Sequence, residues 1–125
     1  MNNKQVVENF WAIMATNDFH AAAGLLHDEY ILDWPQSGER IRGRENFAAI
    51  NSAYSSKGRW KFTINRIQVD GDVVVTDVTV TDGSREDRAI TFSTIRDGKI
   101  LKQVEYWPET FDPPEWRIHL VEKIK

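Results

Sequence analysis

Lys99-Ile-Leu-Lys-Gln-Val-Glu-Tyr-Trp-Pro108 is the stretch on which the reading of this chain turns. Its alternation predicts the last strand of an antiparallel sheet. Side chains alternate across a strand, so Leu101, Gln103, Glu105 and Trp107 share one face while Val104 and Tyr106 take the other. A carboxylate beside a large aromatic on an inward face needs either a bonding partner or a cavity to face. The question of function therefore reduces to what surrounds Glu105.

Upstream of this strand the period is two from Trp60 onward. Trp60, Phe62 and Ile64 alternate with Lys61, Thr63 and Asn65. Asp70-Gly71 marks a hairpin turn, and Val73–Thr81 and Asp87–Ile95 are strands joined around Asp82-Gly83-Ser84. With the final strand they make a four-stranded meander. A two-residue loop at Asp97-Gly98 would pair Ile90 with Glu105. A three-residue loop, with Gly98 in the left-handed conformation, would pair Ala89 with Glu105 and Thr91 with Gln103. The second puts polar beside polar and is the expectation. Carried through the earlier hairpins, it places Asp77 and Thr79 on the inward face opposite Phe62 and Ile64. Asp77 would then lie about 10 Å from Glu105, at two strand spacings of roughly 4.8 Å.

The first half of the chain reads as helices. Val6, Val7, Phe10, Ile13 and Met14, with Trp11 at the edge, recur at helical spacing over residues 3–16. Asp18 caps a short helix through Ala21–Leu26. Tyr30–Trp34 is a short strand stopped by Pro35, followed by a loop at residues 36–39. Gly43 precedes a helix over 44–56 whose inward face is Phe47, Ile50 and Tyr54. A last short helix carries Trp116, Leu120 and Ile124. Helices segregated from strands predict an α+β fold, with the helices on one face of a curved, mostly antiparallel sheet. Val74, Val78, Val80, Ile90, Phe92, Val104 and Tyr106 are assigned to one sheet face, and Trp60, Phe62, Ile64 and Trp107 to the other. Helices can cover only one of them, so a homodimer through the uncovered sheet face is expected.

The 125 residues suit one domain over 1–125, and 41% hydrophobic with 28% charged residues is the balance of a globular chain rather than a disordered one. A net charge of −3 gives no footing for nucleic acid or an anionic membrane as partner. The absence of cysteine excludes disulfide and thiolate chemistry. The first residues lack the apolar run of a signal peptide, and no stretch approaches the roughly 20 apolar residues of a membrane helix, so a cytoplasmic location is expected. His20, His27 and His119 are scattered without metal-ligand spacing, and there is no Gly-rich phosphate loop. No metal and no cofactor are expected. Arg40, Arg42 and Arg44, beside Glu39 and Glu45, read as a solvated loop.

The element order, the Trp34-Pro35…Gly43 passage and the closing Asp97-Gly98-Lys99-Ile100…Glu105-Tyr106-Trp107 strand resemble the SnoaL-like branch of the nuclear transport factor 2 superfamily. The resemblance implies a cone-shaped fold with a pocket between the helices and the concave sheet face, and pairing through the sheet. Its members include isomerases, cyclases, hydrolases, dehydratases and non-catalytic binding domains. In ketosteroid isomerases the base precedes a proline on the first strand, which resembles Trp34 here, with Asp33 one residue away. The oxyanion-holding tyrosine falls near Phe10 and the protonated aspartic acid near Thr91. All three groups are lost, so that activity is not expected. In the limonene epoxide hydrolase-like members, the final-strand aspartate resembles Glu105, but the arginine and second aspartate fall near Asp77 and Thr79, which breaks the trio. For the polyketide cyclase-like members, the pocket carboxylate resembles Glu105 or Asp77.

Glu105 and Asp77 are thus the candidate catalytic groups. The expected pocket lining is Trp11, Met14, Trp34, Phe47, Ile50, Tyr54, Trp60, Phe62, Ile64, Thr79, Ala89, Thr91, Gln103, Trp107 and Trp116. Two functions stay open for a small, largely hydrophobic ligand. One is a cofactor-free acid–base enzyme using Glu105 for proton transfer, with Asp77 or Gln103 orienting the substrate. The other is a non-catalytic ligand-binding or dimerisation module whose aromatics fill the cone. An open cavity touching Glu105 favours the first, and a tryptophan-packed interior the second.

Overall fold

Helix α1, Asn3–Met14, starts at a reciprocal cap: the Gln5 N–H donates to the Asn2 side chain at 2.8 Å, and the Asn2 N–H donates to the Gln5 side chain at 3.0 Å. It buries Val6, Val7, Phe10, Trp11 and Met14, so Trp11 lies inside and Ile13 at the edge. Helix α2 is shorter than expected, Phe19–Ala23, and is capped by Asp18. The chain then runs through β1 (Leu26–Trp34), β2 (Glu39–Arg42), α3 (Arg44–Ala53), β3 (Lys61–Asp70), β4 (Val73–Thr81), β5 (Glu86–Arg96) and β6 (Lys99–Tyr106), ending in a 3-10 turn at Glu115–Leu120. This computed structural model describes residues 1–124. Among them no helix is long and apolar enough to cross a membrane.

One six-stranded sheet has the order β2-β1-β6-β5-β4-β3. The expected meander is its β3–β6 part. Strand β6 also pairs in parallel with β1, with Leu32 beside Gln103, while every other pairing is antiparallel. The α+β architecture is the expected one. The helices cover one face, and the core between helices and sheet is built on Phe10, Leu26, Tyr30, Phe47, Val74, Val78 and Ile100.

The register differs from the expectation. The β5–β6 turn is the two-residue loop Asp97-Gly98, because Arg96 pairs with Lys99, and an irregularity follows at Leu101. The extra residue advances the pairing, so Thr91 faces Glu105 and Ser93 faces Gln103. Ile100 takes the inward position that alternation alone assigns to Leu101, which is half-exposed.

The β4–β5 turn changes more. Thr81 pairs with Glu86 across a four-residue loop, which sets Val78 opposite Ala89 and Asp77 opposite Ile90. The loop is held by the Asp82 carboxylate, which accepts the backbone N–H groups of Ser84 and Arg85 at 2.9 Å and of Lys57 at 3.0 Å. These three donors hold its carboxyl at about 2. Val74, Thr76, Val78 and Val80 therefore face inward, with Ala89, Thr91 and Ser93, while Ile90, Phe92, Val104 and Tyr106 face outward. The single apolar face assigned from sequence is two faces.

Candidate functional site

Strand β6 brings Gln103, Glu105 and the following Trp107 to the concave side. Strand β1, laid parallel beside it, brings Tyr30, Leu32 and Trp34 to the same side. The Glu105 carboxylate is buried, with 8% of the residue exposed. Its Oε1 accepts the indole N–H of Trp34 at 3.1 Å and that of Trp107 at 3.0 Å. Its Oε2 accepts the Thr91 hydroxyl at 2.7 Å. Every partner is neutral. Burial pushes the Glu105 carboxyl above its ordinary value, and the bonds from Thr91, Trp34 and Trp107 offset this in part.

Below it a second buried row is closed on itself. The Tyr30 hydroxyl donates to Gln103 Oε1 at 2.5 Å, and Gln103 Nε2 donates to Ser93 Oγ at 3.1 Å. Burial, then the Glu105 charge, keeps the Tyr30 phenol well above its usual range. Tyr30 is therefore a neutral donor, and it fixes the Gln103 amide.

Above Glu105 the cone is open. A cavity of about 730 Å³ runs from Phe10, Trp11 and Met14 on α1, past Phe47 and Tyr54, to a mouth formed by Gln36, Ser37, Glu39 and residues 85–88 and 108–110. Asn17 fixes one wall: its side chain receives the Trp60 N–H and donates to the Trp60 carbonyl, each at 2.8 Å. Trp107 is placed by its own backbone N–H, which bonds Gln36 Oε1 at 2.5 Å. A protein interior normally leaves few voids larger than a water molecule, and this opening is far larger.

A SnoaL-like domain model matches residues 7–103. The chain belongs to the SnoaL-like domain family. An NTF-2-like protein of unknown function from Burkholderia xenovorans LB400 is 31% identical, with 98% of this chain and 95% of that one covered at a TM-score of 0.80. A candidate ketosteroid isomerase from Kribbella flavida DSM 17836 is 28% identical, covering 98% and 90% at a TM-score of 0.88. An LEH-like epoxide hydrolase from M. tuberculosis has the same fold, at 23% identity, 85% and 82% coverage and a TM-score of 0.69. A comparison with curated proteins finds no match.

In this SnoaL-like chain the cavity gathers Trp11, Met14, Trp34, Phe47, Tyr54, Trp60, Phe62, Gln103, Glu105 and Trp107 of the expected residues. Thr91 is fully buried and reaches the site through Glu105. Ala89 is fully buried on the inward face but does not line the cavity. Ile50 and Ile64 pack against the core from half-buried positions instead of lining the opening. Thr79 faces outward and accepts from Asn65 at 2.7 Å. Trp116 is 69% exposed on the terminal turn and lies away from the cavity.

Asp77 is the main correction. It faces outward on β4 and accepts both arms of the Arg88 guanidinium at 2.7 and 2.6 Å. Arg88 holds its carboxyl below the usual carboxylate range. The four-residue β4–β5 loop is the reason, since one residue of parity moves Asp77 to the other face. Asp33 is likewise turned outward and held by Arg40, while its neighbour Trp34 faces Glu105.

Sequence reasoning missed Phe19, Leu32, Asn51, Val80 and the polar mouth at Gln36, Glu39, Arg85, Glu86, Asp87 and Glu109. Leu32 was within reach, because it alternates with Trp34. The mouth residues come from loops and strand ends that only the tertiary fold brings together.

Proposed function

We propose that this SnoaL-like domain is a cofactor-free acid–base enzyme acting on a small, largely apolar organic molecule, with Glu105 as the proton-transfer group. The observation that carries this reading is the open cavity ending on a buried carboxylate. Oε1 already accepts two indole N–H groups, and Oε2 accepts one hydroxyl. Oε2 therefore keeps an acceptor position, and it is the atom that takes and returns a proton. Indole N–H groups cannot accept that proton, so they fix the carboxylate without competing for it. A raised carboxyl pKa brings Glu105 nearer to neutral pH, where a general base is most effective.

The positions that resemble the isomerase groups hold Phe10, Trp34 and Thr91. Two of them donate to Glu105, which supports a site of the same shape whose proton chemistry is centred on β6. In such a step Glu105 removes a proton from an acidic C–H or O–H of the bound molecule. It then returns it to another atom of that molecule, as in an isomerase or cyclase, or to its leaving group, as in a dehydratase. In a hydrolase the proton it removes is that of a water, whose oxygen adds to the bound molecule as the leaving group departs with the proton. Gln103, held by Tyr30 and Ser93, supplies the fixed polar wall that orients the substrate.

The alternative is a binding module in which Glu105 only ties Trp34, Thr91 and Trp107 together, and its three hydrogen bonds favour that reading. Glu105→Gln separates the two. For a catalyst, turnover of a substrate found by screening is lost while affinity is kept. Unchanged turnover would make the residue structural.

The outer sheet face supports pairing with a second copy. Phe92 and Tyr106 are 40% and 38% exposed there, with their rings 6.2 Å apart. Val78, assigned to this face from sequence, is buried on the other, so the proposed contact is Ile90, Phe92, Val104 and Tyr106. Light scattering is expected to give twice the 14.5 kDa chain mass, reduced to one chain by Phe92→Glu. A monomeric wild type removes the dimer.

A further inference from the structure

We propose that the molecule bound against Glu105 is an organic cation, a protonated amine or quaternary ammonium carrying apolar substituents. This rests on the cavity being a small-molecule site, and it is independent of whether Glu105 catalyses.

The residues lining the cavity include the acidic Glu39, Glu86, Asp87, Glu105 and Glu109 and the basic Arg85 and Arg88. Both cations are engaged: Arg85 donates to Asp87 at 2.8 Å, and Arg88 is held by Asp77 on the outer face. Among the described residues no Lys, Arg or His nitrogen lies within ion-pair distance of Glu39, Glu86, Glu105 or Glu109. The interior therefore holds a carboxylate without a counter-ion, and the mouth is acidic.

The wall around that carboxylate is aromatic. Trp34 and Trp107 are pinned by their N–H edges to one oxygen of Glu105, and Trp60, Phe62 and Tyr54 complete the lining. Aromatic rings attract a cation through their electron-rich faces, and most strongly where water is excluded. A carboxylate at the floor of an aromatic cavity is thus complementary to a positive charge wrapped in carbon.

The other charge classes fit worse. An anionic ligand would meet Glu105 with both guanidinium groups already bonded. A neutral ligand would leave the charge of the buried carboxylate uncompensated. A cation supplies the missing opposite charge, and the acidic mouth draws it in.

The test uses three probes that share a phenol and a tetrahedral head and differ in charge. They are para-hydroxyphenyl trimethylammonium, para-tert-butylphenol and para-phenolsulfonate, titrated calorimetrically into the full chain. The ammonium is expected to bind about tenfold or more tighter than the tert-butyl probe, with the sulfonate weakest. In Glu105→Gln that gap should collapse while the neutral affinity is kept. Equal or tighter binding of the neutral probe overturns the cation inference and leaves the small-molecule cavity standing. Binding of none of the three overturns both. The wild-type series decides the matter without the variant, should Glu105→Gln fold poorly.

Discussion

Glu105 on β6 and Asp77 on β4 are two strand carboxylates of one sheet, and they are stabilised in opposite ways. Asp77 lies on the outer face under a two-armed guanidinium that is itself half exposed. Glu105 lies on the inner face under three neutral donors, with no ion-pair partner among the described residues. The Arg88 partner pulls the Asp77 carboxyl down, whereas burial pushes the Glu105 carboxyl up. A carboxylate that is fully compensated has no capacity left for a ligand. One held only by neutral hydrogen bonds keeps its charge in play, and that contrast, rather than residue type, separates the candidate site from the outer face.

The sharpest break in this contrast is Thr91→Val, which removes the one hydroxyl donor from Glu105. It should cost about 1–3 kcal/mol at neutral pH, since a buried charged acceptor loses a bond. Urea unfolding at several pH values checks both size and sign. The folded Glu105 pKa is raised, so the folded chain binds the proton more readily than the unfolded one. Its contribution to stability is complete below the unfolded value of 4.5 and is lost as pH rises through the higher folded value. The Thr91 hydroxyl acts in the opposite direction to burial, because its bond favours the charged carboxylate, so the cost of Thr91→Val should shrink in acid. A pH-independent cost would mean that Glu105 does not ionise in the folded chain over that range.

Asp77→Asn is the smallest effect. The pair is exposed, so the unfolding midpoint should move by little more than the error of measurement, and less in high salt. The pH dependence has the opposite sign: a lowered folded pKa gives a contribution present above 3.8 and lost as pH falls through the folded value. A large loss of stability in Asp77→Asn would erase the distinction between the two faces.

The fold was legible because period-two alternation from Trp60 and helical spacing before it are strong signals. The inward trio Gln103, Glu105 and Trp107 was legible for the same reason. The pairing was not. Both loops considered for Asp97-Gly98 assume an unbroken ladder, and the irregularity at Leu101 leaves no mark in composition. Asp77 falls on the other face from the one expected because composition marks the turn at Asp82 but not its four-residue length. Strand β2 was missed because only Ile41 of its residues is buried, and one inward side chain makes no alternation. Trp116, Leu120 and Ile124 do recur at helical spacing, yet they are 69%, 70% and 99% exposed, so spacing there reported no packing.

Strand β6 is the last strand of the chain and lies in the middle of the sheet, between β1 and β5. During synthesis the N-terminal strands and the β3–β5 hairpins emerge first, as two pieces that the sheet cannot join. Each presents an open edge until Lys99–Tyr106 leaves the ribosome and fills the gap. Closure of the sheet and assembly of Trp34, Thr91 and Glu105 are then one event. A chain cut before Lys99 would be left with two bare edges, prone to pair with other chains, rather than a weakened version of the same site.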